Sequence, residues 1–189
     1  MRTVQATPKE MEARTARFDR LGLWDVQYNH KVPQDARDLV YARKLLAITS
    51  PRDAHGPLAN SAPIRDVDFT LHVAECPLGQ GPGLHAHHAT TETFFCLDGR
   101  FRIYWGDHGE HELVLEPWDT VSVPPGVARG FQNVSEDLAH LLILVTGGVS
   151  DMNDIAMTPE YRERLAAFGP DVVAELEKTG LRFDAGVDS

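Results

Sequence analysis

The chain predicts an all-β fold with helices at its two ends, and three observations carry this. Short apolar runs with period-2 alternation fill residues 64–148. Clusters of turn residues separate those runs, at GQGPG 79–83, GDHGE 106–110 and PPG 124–126. Helix-like patterns with start and stop signals occur only outside that stretch. Many short strands punctuated in this way point to a β-sandwich or barrel. The expected organisation is an N-terminal arm over 1–60, a β-barrel over 61–148 and a helical extension over 149–189.

The elements follow in chain order. Thr7 caps a helix with Pro8 at its first position, and Gly22 stops it. The stretch 39–48 (LVYARKLLAI) suits a strand or a helix equally. Residues 50–63 hold three prolines and small polar residues and read as a loop. Val67, Phe69, Leu71 and Val73 alternate with Asp68, Thr70 and His72, a strand signature. Phe101, Ile103 and Trp105 form another after the Asp98-Gly99 turn, followed by 113–115, 121–123 and 141–145. In the tail, Thr158-Pro159 and Pro170-Asp171 each open a helix, and Gly180 ends the second.

The 189 residues are ample for a hydrophobic core without staples. Eighteen basic residues against 28 acidic ones give a net charge of −10. So acidic a chain gains nothing from counterion release, which excludes duplex nucleic acid as its ligand class, and an anionic membrane surface with it. No apolar run reaches the roughly 18 residues of a membrane span. The first residues, MRTVQATPKEMEAR, contain no apolar core of a signal peptide, so a cytoplasmic location is expected. The two cysteines, Cys76 and Cys96, are then expected to be free buried thiols.

Chemistry concentrates at His85-Ala86-His87. On a strand these two imidazoles point to one side, and Glu92 follows after a short Thr/Ala stretch. Two imidazoles and one carboxylate form a 2-His-1-carboxylate set that leaves coordination positions open. Imidazole suits Fe, Ni, Cu and Zn, and the carboxylate adds hard character that Fe(II) and Mn(II) accept. A plainer reading makes HAHH a polar loop beside a glycine-rich turn. His88 would face the other way. Among the remaining histidines His30, His55, His108 and His111 carry no signal, while His72 and His140 lie on strands that could turn them toward the site.

Gly79, His85, His87, Glu92 and Gly99 stand at the spacing of the first motif of the cupin family, which this segment resembles. Trp118 to Asn133, with Pro124, Gly126 and Asn133 in place, resembles the second motif. The resemblance covers about 60–148 and implies a jelly-roll β-barrel, often a homodimer, with a divalent metal (Fe, Mn, Ni or Zn) at the centre. It departs from the family at two positions. Trp118 stands where glycine usually opens the second motif; Pro117 before it can set a type I turn. Arg129 stands where the family places a fourth ligand, a histidine. A guanidinium has no lone pair to offer a metal.

Arg129 therefore pairs with Glu92, passes the metal to hold an anionic substrate, or turns outward. The resemblance suggests a mononuclear metalloprotein, a dioxygenase or isomerase acting on a small organic acid or phenolic compound, with metal on His85, His87 and Glu92 and substrate on Arg129. The alternative is a metal-free binding barrel with Arg129 paired to Glu92. A third reading uses the fold only for assembly.

Overall fold

The computed structural model describes residues 3–54, 61–148 and 151–187. His55 and part of the 50–63 loop lie outside them. Ten strands form two antiparallel sheets of five. They are β1 (Lys44–Thr49), β2 (Thr70–Cys76), β3 (His85–His87), β4 (Thr91–Cys96), β5 (Phe101–Trp105), β6 (His111–Leu115), β7 (Thr120–Val123), β8 (Arg129–Asn133), β9 (Ala139–Thr146) and β10 (Ile155–Met157). The first sheet runs β1-β2-β9-β4-β7 and the second β10-β3-β8-β5-β6. The expected all-β architecture is thus a double-sheet, jelly-roll arrangement, with helices at both ends.

Alternation along the strands builds the layer between the sheets. Ala74, Cys76, Phe94, Cys96, Leu141 and Ile143 from the first sheet meet Phe101, Ile103, Leu115 and Phe131 from the second in one buried cluster. Phe131 packs edge-on against both Phe94 and Phe101, with centroids 5.4 and 6.1 Å away. Such aromatic pairs add about 0.5–1.5 kcal/mol each beyond their buried area. Both cysteines are free and buried, as expected. The Asp98-Gly99 turn joins β4 to β5 with Gly99 at φ 67°, a backbone that glycine adopts without a Cβ penalty.

The ends of the chain form a second buried cluster. Trp24, Val26, Val32, Ala36 and Val40 from the arm pack with Met152, Met157, Leu165, Val173, Leu176 and Leu181 from the extension. Of the two readings of 39–48, both hold in part. Leu39 and Val40 end helix α2 (Gln34–Val40), and β1 begins at Lys44. The two helices expected in the tail are α3 (Glu160–Ala166), which buries Tyr161 and Leu165, and α4 (Val172–Glu177).

Four local expectations need correction. Helix α1 has the Thr7 cap and Pro8, with Glu10 closing a capping box, but it spans only Pro8–Glu12 instead of running to Gly22. It buries no residue, so nothing offsets the cost of extending it. The extension is not helical throughout: β10 pairs with β3, placing Ile155 beside His87 and Met157 beside His85. The turn at Pro117 is not type I. Asp119 N–H donates to the Glu116 carbonyl at 3.0 Å and Trp118 takes φ 78°, which is the type II form that normally demands glycine. Finally, β2 has the opposite phase from its apolar pattern. Its inward row is Thr70, His72, Ala74 and Cys76, with His72 level with Ile143 and Phe94.

The GQGPG turn sits close against β8. A Cβ at Gly81 would lie 2.0 Å from the Phe131 carbonyl oxygen, a backbone atom that cannot swing aside. Gly81→Ala is therefore expected to destabilise by about 3 kcal/mol in urea unfolding. Gly22→Ala, with no atom nearer than 4.0 Å, is the matched control and should change the unfolding free energy by less than about 0.5 kcal/mol. Equal effects would refute the close-approach argument.

Candidate metal centre

β3 and β4 face one another across the interior and bring His85, His87 and Glu92 together. All three are buried, at 6, 4 and 5% exposure, and their ligand atoms lie within 4.8 Å of one another. Among the described residues this is the group of histidine, cysteine and carboxylate side chains arranged to hold a metal ion. The Glu92 Oε2 atom is 3.6 Å from His85 Nε2 and 3.8 Å from His87 Nε2, longer than hydrogen bonds.

The bonds behind the histidines decide where their lone pairs point. His85 Nδ1 lies 2.8 Å from the Gly83 carbonyl, which only accepts, so the ring proton sits on Nδ1. His87 Nδ1 lies 2.7 Å from Thr90 Oγ1, and the Thr90 hydroxyl itself donates to Asp154 Oδ2. That leaves the Thr90 oxygen to accept from His87 Nδ1–H. Both Nε2 lone pairs then face Glu92 with no proton between them. Three acceptors converge on one point, which is the donor set that a divalent cation satisfies.

Arg129 adds the neighbouring charge. Register places it directly opposite His85 on β8. Its Nε–H donates to Glu92 Oε2 at 2.9 Å and one terminal N–H to the Val127 carbonyl at 3.2 Å, while Nη2 is buried with no hydrogen-bond partner. Arg129 thus pairs with Glu92 through a single N–H, which leaves further carboxylate lone pairs open. Burial pushes Glu92 up, but the adjacent Arg129 charge outweighs it and holds the carboxyl well below its usual range. Burial lowers His87 and keeps it in the neutral, ligating form.

Asp154 is a contributor with no sequence signal. It lies in the 3-10 turn Met152–Asp154 of the extension, accepts from Ala89 N–H at 2.6 Å and fixes Thr90. His88 is exposed, and its backbone N–H donates to the Asp154 carbonyl at 2.8 Å. His140 turns away to Asp98, with Nδ1 2.8 Å from Oδ2. His72 faces inward because of the reversed phase of β2.

A cavity of about 90 Å3 opens beside the triad. Its wall includes His72, His85, His87 and Glu92, Ile143 and Val145 of β9, Trp24 and Leu45 from the N-terminal side, and Met152, Asp154, Ile155 and Leu181 from the extension. Arg129 is not part of that wall.

Burial pushes the His72 imidazole down to about 4 from an ordinary 6.5, against the opposing pull of Glu92. Unfolded His72 therefore binds its proton first as pH falls. The stability tied to its neutral form is complete above pH 6.5 and is lost as pH drops from 6.5 towards about 4. In urea titrations of the chelator-treated protein over that window, His72→Gln should flatten the fall in stability by up to about 1.4 kcal/mol per pH unit. An unchanged slope would show that His72 is not held neutral.

Residues 72–145 match the family model of the cupin domain, about two fifths of the chain. No curated protein matches the chain. Among solved structures it is similar to the cupin domain of Cnp3 from Schizosaccharomyces pombe, at 13% identity over 55% of this chain and 64% of that one, with a TM-score of 0.43. It is also similar to a structure of DMSP lyases, at 21% identity over 61% of this chain and 52% of that one, TM-score 0.47. A third likeness is a sugar phosphate isomerase of Silicibacter pomeroyi, at 20% identity over 42 and 51% of the two chains, TM-score 0.38. The chain thus spans less than two thirds of each of these three structures. No described helix is long and apolar enough to cross a membrane. With both motifs inside the matched segment, the chain carries a cupin domain, and its N-terminal arm and C-terminal extension lie outside the match.

Proposed function

We propose that this chain is a mononuclear metalloprotein that acts on a small organic molecule in the cavity beside the triad. Its chemistry is dioxygenase or isomerase chemistry on an organic acid or phenolic compound. The observation that carries this reading is the convergence of three buried acceptors, His85 Nε2, His87 Nε2 and Glu92 Oε2, with both Nδ1 protons held outward. Without a cation, two lone pairs and a carboxylate would face one another across a site that is nearly closed to water, which costs several kcal/mol. A divalent ion bound there supplies Lewis acidity or oxygen activation. The chain's own residues do the rest. Arg129 keeps Glu92 ionised, Thr90 and Asp154 hold the His87 ring, and the apolar wall excludes bulk water.

A second reading has one observation in its favour. The 2.9 Å pair between Arg129 and Glu92 already neutralises the carboxylate. On that reading the protein is a metal-free binding barrel, with Glu92 a structural partner of Arg129.

Elemental analysis of the purified, untagged chain separates the two. The expected result is about one iron, manganese, nickel or zinc ion per chain, lost in the His85→Ala/His87→Ala variant. Metal near zero after attempted reconstitution would overturn the metalloprotein reading in favour of the second. The support from Thr90 and Asp154 has its own measurement. In competition against a chromophoric chelator, Asp154→Ala should weaken Zn(II) binding by about 10–100-fold. Wild-type affinity in that variant would show that the His87 ring is held without Asp154.

A further inference from the structure

A second cleft, of about 460 Å3, lies on the outer face of the second sheet and shares no wall residue with the cavity beside the triad. Phe101 and Ile103 of β5 point into the core, so Arg102 and Tyr104 point out, and Arg102 stands level with Gln132 of β8. Helix α3 of the extension adds Tyr161 and Arg164 to the same wall. Glycines seat both tyrosines. A Cβ at Gly83 would lie 1.9 Å from the Tyr161 ring, and one at Gly130 would lie 2.5 Å from the Tyr104 ring. Each ring carries one guanidinium, Arg102 at 4.8 Å from the Tyr104 centroid and Arg164 at 4.5 Å from that of Tyr161. The two platforms adjoin: the Tyr104 hydroxyl meets the Tyr161 side chain, and the charges of both arginines act on that one hydroxyl.

Both arginines keep donors for a ligand. Glu112, which stands outside the wall, accepts the Arg102 Nε–H at 2.7 Å, and among the described residues the terminal nitrogens of Arg102 have no hydrogen-bond partner. Among the described residues Arg164 has no hydrogen bond or ion pair beside its stacking on Tyr161. The acidic group of the wall, Asp38, is already held by Arg43 from outside it, with Nε 3.0 Å from Oδ1. In a chain of net charge −10 the cleft thus presents two stacked guanidiniums and no free carboxylate. Stacking fixes each guanidinium plane and leaves its N–H edge for an oxyanion. A phosphate monoester carries about −1.5 to −2 at neutral pH on three acceptor oxygens, which suits two guanidiniums better than a single carboxylate does. The volume admits a small organic group beside the phosphate, and Leu39 and Leu78 offer it apolar contact.

We propose that this cleft is a second ligand site, which takes a small phosphate monoester with Arg102 and Arg164 on the phosphate and Leu39 and Leu78 against the organic group. It is separate from the triad and does not rest on the metalloprotein reading. Arg102 belongs to the sheet and Arg164 to the extension, so an occupant ties the two together.

The probes are phenyl phosphate and benzoate, titrated by calorimetry into the full chain near neutral pH and at physiological salt, as isolated and again after chelator treatment. The expected result is a preference of about tenfold for phenyl phosphate in both states, with its affinity cut about tenfold in Arg102→Gln and again in Arg164→Gln. Neither change leaves a buried group unpaired, because Arg164 is exposed and Arg102 is half-exposed. Arg162→Gln is the control. It removes the same charge from the same helix at a residue that pairs with Glu177 outside the cleft, and it should leave the affinity within about twofold. No binding of phenyl phosphate, equal affinity for benzoate, or full affinity in either cleft variant would overturn the assignment. An equal loss in Arg162→Gln would also overturn it, as a general charge effect. Binding that disappears with the chelator alone would place the phosphate on a metal at the triad and overturn it as well. A chain without metal that keeps the arginine-dependent binding would refute the metalloprotein reading alone, and a metal-bearing chain without that binding would refute this one alone.

Discussion

Burying the Glu92 carboxylate is the constraint around which the interior is arranged. An ionised carboxylate at 5% exposure is costly unless a cation and hydrogen bonds replace its water. Arg129, fully buried itself, provides both. Glu92 belongs to the first sheet and Arg129 to the second, so the pair also ties the sheets together at the level of the triad. Removing either partner would strand the other charge in the core, whereas exchanging both for apolar residues would relieve each desolvation cost at once. The same pair sets the ionisation on which the triad's chemistry depends.

The sheets alone do not complete the site. The extension adds β10 at the edge of the second sheet next to β3, and the turn before it supplies Asp154. The arm brings Trp24 into the cavity wall along β1. Because arm and extension share one buried cluster, damage to the packing of either end is transmitted to the wall of the cavity. The ends therefore do two jobs with one set of contacts. They cover apolar surface that would otherwise face water, and they place polar groups at the site.

Charge is unevenly divided across this interior. Among the described residues the cavity wall carries only acidic charge, and the arginine that compensates Glu92 lies outside the wall. A ligand entering the cavity meets carboxylates, neutral imidazoles and apolar carbon. That arrangement favours a cation at the triad and a neutral group elsewhere. It also separates two roles that sequence position alone would merge, because Arg129 can support Glu92 without touching whatever occupies the cavity.

Much of this was legible in the residues. The short alternating runs and their Gly/Pro punctuation determined an all-β chain with helical ends, because strand periodicity and turn chemistry act over a few residues. The spacing of His85, His87 and Glu92 determined a candidate metal triad, because the pleat sends residues two apart to one side. Other features needed the folded chain. The turn at Trp118 adopted a backbone that its side chain disfavours because the ladder around it required one. The alternation of β2 left the side of His72 open, and pairing with β9 set the phase and turned it in, since register is decided by partners and not by one strand. Asp154 and Trp24 are far from the triad in sequence, and neither has a local pattern that marks it. Only tertiary packing, which closes long loops to bury the ends together, placed them at the site.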